Sequence, residues 1–226
     1  YRNFLFPLAF LLVFLPGPAL FPAHITAAII GALVALTGQL IRGATIGFKY
    51  IIRGGRNRRV YAEDLVTDGL YGHTRNPMYV GNLLILTGLA IAANSWSCVA
   101  IVAPLFTFIY IAIVAAEESF LRGKFGAAFD RYCHDVPRWA VRVRGLGATL
   151  SSMEFNWKRV IVKEYGTPVG WVIGLSVIVI RNLWEEGDGL SEDWHIVYPV
   201  ISIVVATILF WITARALKKT RTLVAD

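Results

Sequence analysis

Residues 68–81 read DGLYGHTRNPMYVG, a polar and cationic patch that runs straight into an apolar stretch at residues 78–93. The rest of the chain is organised around this junction. Gly69, Gly72 and Gly81 let the backbone approach a ligand closely or take positive φ. Pro77 fixes its own φ and pushes Asn76 towards extended geometry. With Tyr71, His73, Arg75 and Tyr79, the loop can pin polar groups at the rim of a membrane pocket. The same spacing also reads as a plain cytoplasmic connector with a basic flank.

What surrounds the junction is mostly oil. Of 226 residues, 56% are hydrophobic, and the mean hydropathy is +0.58, too apolar for an ordinary soluble domain. Apolar spans are expected at about residues 4–20, 25–41, 78–93, 98–116, 169–183 and 196–214, each near the length that crosses a bilayer. Spans three and four, joined by the uncharged turn 94–97, read as a helical hairpin. This predicts an all-α fold, a polytopic transmembrane bundle of about six spans.

The net charge of +7 would suggest nucleic acid in a soluble protein. Here Lys and Arg gather after spans two and four and in the C-terminal tail, and are nearly absent after spans one, three and five. The positive-inside rule therefore places both termini, and both residues 68–81 and 117–138, on the cytoplasmic side. Anionic lipid, and not nucleic acid, accounts for the basic residues. In a bacterium this means the inner membrane, in a eukaryote the endoplasmic reticulum. Cys98 and Cys133 fall on opposite sides and are not expected to pair, and His24, His73, His134 and His195 lack metal-ligand spacing.

Residues 117–134, EESFLRGKFGAAFDRYCH, read as a juxtamembrane helix with Leu121, Phe125, Ala128 and Tyr132 on one face. Glu118 and Arg122 are spaced to pair, and Gly123 and Gly126 weaken the helix enough to kink it. Residues 154–165 read as a surface helix anchored by Trp157. Three parts follow: helices and a basic connector at 1–63, a core at 64–147, and a surface helix with two spans at 148–226. Nothing assigns an oligomeric state.

Taken as an ordered set, GLYGHTRNPMYVG, then Glu117 and Glu118, then FGAAFDRYCHDVPRW resemble the membrane-embedded methyltransferases that include isoprenylcysteine carboxyl methyltransferase and phosphatidylethanolamine N-methyltransferase. The resemblance covers about residues 64–139. It departs from the family pattern at Asn76, usually histidine, and at Phe129, often tyrosine. Asparagine keeps hydrogen-bonding capacity but does not titrate near neutral pH.

The resemblance implies S-adenosylmethionine as cofactor and a lipid-like or small-molecule methyl acceptor drawn from the membrane. It assigns Tyr71, Gly72, His73, Arg75, Asn76, Pro77 and Tyr79 to cofactor binding, with Glu117 and Glu118 on the ribose hydroxyls or the amino group. Arg75 would meet the cofactor carboxylate, Arg138 would orient a carboxylate acceptor, and Glu118 would serve as base for an amine. Read without the resemblance, Glu117 and Glu118 simply start a helix, and Arg138 binds lipid phosphate. A membrane sterol-type reductase using a nicotinamide cofactor is an alternative, although its R-H-x-N-Y pattern lacks the proline supplied by Pro77. A non-catalytic scaffold is another. The enzyme reading requires that the Arg75–Pro77 turn and the twin glutamates converge on one hollow, open to the cell interior, with room for a nucleoside.

Overall fold

The computed structural model describes residues 11–49, 54–56, 59–61, 64–186, 194–220 and 222–223. Among them are eight α-helices: α1 His24–Phe48, α2 Pro77–Ala92, α3 Trp96–Phe125, α4 Ala127–Asp135, α5 Leu146–Ser151, α6 Trp157–Glu164, α7 Gly166–Glu186 and α8 Trp194–Lys219. The all-α expectation meets one small exception in the basic connector. There β1 (Gly54–Arg56) pairs antiparallel with β2 (Arg59–Tyr61), Gly55 opposite Val60.

The helical membrane bundle is there, but the described residues do not show six full spans. Among the described residues four helices, α1, α3, α7 and α8, are long and apolar enough to cross a bilayer. The expected first span falls partly outside the described residues, and its described part holds a 3₁₀ turn at Leu11–Phe14. The expected third span is α2, whose 16 residues reach only about 24 Å at 1.5 Å per residue. Its ends are fixed by local chemistry. Pro77 opens it at a position where the missing N–H costs nothing, and Asn94, at φ 52°, turns the chain into α3. That turn is covered by the segment before α1. Asn94 Oδ1 accepts from Phe21 N at 2.9 Å, and its Nδ2 donates to Phe21 O at 3.0 Å.

The tightest helix pair is α1 against α2, and it rests on glycine. A Cβ on Gly31 would stand 2.4 Å from Gly88 O, and one on Gly38 would stand 2.4 Å from Gly81 O. The two contacts repeat every seven residues on both antiparallel helices, so backbone meets backbone along the whole seam. Lipid tails give helices no hydrophobic reason to associate, and close approach of this kind supplies the van der Waals contact that does.

Helix α3 carries the fold's main stripe. Cys98, Val102, Phe106, Tyr110 and Val114, four apart, are buried against Ile85 and Leu89 of α2 and Ile178 of α7 or continue that face. Ile101, Leu105 and Phe108 point outward. At 30 residues the helix runs to about 45 Å, longer than a hydrocarbon core. It therefore passes through residue 116, where the sequence suggested a boundary, and ends at Gly126 with φ 50°. This break resets the helical phase. Ala128, expected inward, is exposed, and Phe129, Tyr132 and Val136 close on Leu121 instead.

Candidate functional site

The buried stripe of α3 continues one step beyond its last apolar member. Four residues after Val114 comes Glu118, buried like the positions before it. Its neighbour Glu117 lies about 100° round the helix and is only partly buried. The packing of the span thus delivers one carboxylate into the protein at the end of the bundle where α2 begins.

A carboxylate held at 7% exposure needs partners. Arg138 supplies two parallel bonds, Nε to Oε1 at 3.1 Å and Nη2 to Oε2 at 2.5 Å, the bidentate geometry that suits guanidinium and carboxylate. Arg75 Nη2 lies 3.6 Å from Oε1. The expected Glu118–Arg122 pair does not form. Arg122 turns to Asp130 at 2.8 Å, because the break at Gly126 folds α4 back within reach and Glu118 faces the interior. The neighbouring Glu117 accepts from Tyr79 Oη at 2.7 Å, and the Tyr79 ring leans on Tyr110.

The turn that opens α2 is sewn to the segment carrying Arg138. Arg75 N donates to Pro137 O at 2.9 Å, and Asn76 Nδ2 donates to Arg138 O at 3.1 Å. Tyr132 Oη donates to Tyr71 O at 2.8 Å. Residues 71–76 and 132–138, distant in sequence, therefore form one wall.

Of the sequence-assigned residues, the structure gathers Arg75, Asn76, Glu117 and Glu118 around one cavity, with Leu121, Phe129 and Tyr132 completing its lining. Pro77 and Tyr79 adjoin it through α2. Tyr71, Gly72 and His73 do not line it. His73 is buried with Nδ1 2.6 Å from Arg142 O and Nε2 2.9 Å from Thr149 Oγ1, a clasp on the following connector. The carbonyl of Gly72 accepts from Arg142 Nη2 at 2.9 Å, and that of Tyr71 serves Tyr132. Arg138, assigned from the sequence to the acceptor, lies across Glu118 itself. Leu121, Phe129 and Tyr132 have no assigned role from the sequence; Phe129 and Tyr132 lie in the stretch that carries the family resemblance, and Leu121 and Tyr132 on the expected face of the juxtamembrane helix.

The convergence is present; the room is not. The cavity measures about 10 Å³, space for one water, and Arg75, one of its lining residues, shares Glu118 with Arg138. A larger cavity of about 150 Å³ lies at the far end of α1, between Ala28, Leu183 and Ile196 among others, without a carboxylate, Lys or Arg. Arg75 Nε is buried without a hydrogen-bond acceptor, a donor suited to an incoming anionic group.

Comparison with known proteins agrees with the resemblance. Residues 26–128 match the phospholipid methyltransferase family. The chain is 30% identical over 185 residues to the cobalt-zinc-cadmium resistance protein CzcN of Cupriavidus metallidurans, covering 80% of this chain and 74% of that one. It is 30% identical over 121 residues to the nickel-cobalt-cadmium resistance protein NccN of Alcaligenes xylosoxydans xylosoxydans, covering 54% and 51%. To the protein-S-isoprenylcysteine O-methyltransferase of Schizosaccharomyces pombe it is 26% identical over 105 residues, 44% of this chain and 43% of that one. No solved structure matches significantly.

Proposed function

This chain belongs to the phospholipid methyltransferase family of integral membrane proteins, and on that premise we propose that it moves a methyl group from S-adenosylmethionine to a lipid-like acceptor, at a site facing the cytoplasm. The observation that carries the reading is the convergence of Arg75, Asn76, Glu117 and Glu118 on one cavity, from segments some 40 residues apart. The donor set suits this cofactor. Arg75 Nε lacks an acceptor and fits a carboxylate; Glu117 and Glu118 fit an ammonium and vicinal hydroxyls.

The pairing at Glu118 has a physical account. A buried carboxylate without a cation is strongly disfavoured, so Glu118 holds Arg138 beside Arg75 while no cofactor ammonium is bound. The Arg138 side chain is 42% exposed and has solvent to swing into. An ammonium held at Glu118 would take the place of the Arg138 guanidinium, and the space vacated by Arg138 would add to the cavity.

S-adenosylmethionine supplies a methyl group already activated by its sulfonium. The protein's share is alignment and dryness. Tyr79 fixes Glu117 through its hydroxyl, Asn76 fixes the Arg138 backbone, and Leu121 and Phe129 exclude water. Released from Glu118, Arg138 would be free to anchor an anionic acceptor, such as the carboxylate of a prenylcysteine-type compound. For a head-group amine, Glu117 or Glu118 takes the proton. Two relatives are named for metal resistance; the methyl-transfer reading rests on the family match and on the donors around the cavity.

The test is incubation of the purified full chain with methyl-labelled S-adenosylmethionine and membrane lipid extract. Label should enter a lipid-soluble product, base-labile for an ester and base-stable for an amine. Cofactor binding with no transfer to any extract would leave a scaffold instead.

A further inference from the structure

Helices α6 to α8 lie beyond the residues that match the family; α7 packs Ile178 into the core and bonds Asn182 Nδ2 to Ala92 O, and a buried charged contact with the core runs through Arg42 of α1. Its guanidinium takes Glu164 of α6 in two parallel bonds, Nε to Oε1 at 2.5 Å and Nη2 to Oε2 at 2.8 Å. Nη2 also donates to Thr167 Oγ1 of α7 at 3.2 Å, and Nη1 donates to Asn82 Oδ1 of α2. Gln39 donates to the same Glu164 oxygen at 3.2 Å and accepts from Trp171 Nε1 at 3.0 Å. The Arg42 and Glu164 side chains are 11% and 4% exposed. A rigid planar fork buried among four helices is satisfied only while those helices keep their places. Its stem is confined as well, since a Cβ on Gly81 would stand 2.5 Å from Arg42 Cγ.

Arg42 thus crosses α2 at residues 81–82, within one turn of Tyr79. The same first turns of α2 present Asn76 to Arg138 and Tyr79 to Glu117. We infer that Glu164 is a positioning residue for the site: through Arg42 and Asn82 it seats the start of α2, so the C-terminal helices complete the site without touching it. The consequence for cofactor binding rests on the function proposed above; the placement of α2 does not. A brace that served stability alone would behave differently when its charges are removed as a pair. Two apolar side chains relieve the burial penalty and can still hold the helices together, but they leave Asn82 without its donor and α2 without its seat.

The experiment compares the wild-type full chain in lipid nanodiscs with Glu164→Gln and with the apolar pair Arg42→Met, Glu164→Leu. Hydrogen–deuterium exchange, without cofactor, is read at the amides of Arg75, Tyr79 and Val80, which donate to the carbonyls of Pro137 and Asn76. Exchange there should quicken by about fivefold or more in both variants, while Ala93 and Asn94 at the other end of α2 keep the wild-type rate. S-adenosylmethionine affinity, by calorimetry, should fall by about fivefold or more even where the apolar pair melts at the wild-type temperature. Faster exchange confined to α6 and α7, or spread evenly over the protein, overturns the inference, as does unchanged affinity in a cofactor-binding, normally melting apolar pair. Should Glu164→Gln fail to fold, the apolar pair decides alone. Should the wild type not bind the cofactor, the function proposed above fails and the exchange pattern still decides the role of Glu164.

Discussion

Two adjacent carboxylates, Glu117 and Glu118, have different fates because one falls on the buried stripe of α3 and the other beside it. Glu118 is a core position that happens to be charged, and its two arginines follow from that. Arg138 is the exchangeable partner and Arg75, at 12% exposure, the fixed one. Arg138→Ala should therefore cost little stability, about 1 kcal/mol, since Arg75 stays beside Glu118 and the Arg138 side chain is 42% exposed. It should leave cofactor affinity within about threefold while slowing transfer to an anionic acceptor about 100-fold, the scale of one lost electrostatic anchor. Calorimetry and turnover on the same preparation check this. Weakened cofactor binding with normal turnover at saturating cofactor would place Arg138 on the cofactor instead. The sequence already named both residues, but not their bond: the four-residue spacing pointed Glu118 to Arg122, and only the chain reversal at Gly126 gives Arg122 to Asp130 and Glu118 to Arg138.

At the scale of elements, apolar periodicity and punctuation carried the reading a long way. Pro77 and Asn94 bound α2 within a residue of the expected 78–93, and residues 157–164 form the expected surface helix. What periodicity does not encode is which helices touch most closely. Gly31 and Gly38 look like any glycines in a span, yet they set the α1–α2 seam, while a Cβ on Gly43 of the same helix would meet nothing within 4 Å. Gly38→Ala should therefore lower stability by about 2 kcal/mol through overpacking, and Gly43→Ala should raise it by up to about 1 kcal/mol through helix propensity. Thermal unfolding of the two variants, five positions apart, gives the comparison; equal shifts would mean that the seam does not govern the pair.

For the whole molecule, a helical membrane bundle brings three distant stretches to one end of the lipid-exposed assembly. Long apolar helices and the asymmetry of Lys and Arg were plain in the sequence, and so was the gathering of polar segments at one end. The size of the cavity was not, because it depends on side chains closing over a charge that must be paired. The account's central claim is that Glu118 trades Arg138 for the cofactor's ammonium. Isothermal titration of S-adenosylmethionine into the full chain in nanodiscs tests this most directly, comparing wild type with Glu118→Gln. One saturable site, weakened about tenfold or more by the substitution, is the predicted result; equal affinity in the two proteins, or no binding to the wild type, would contradict it.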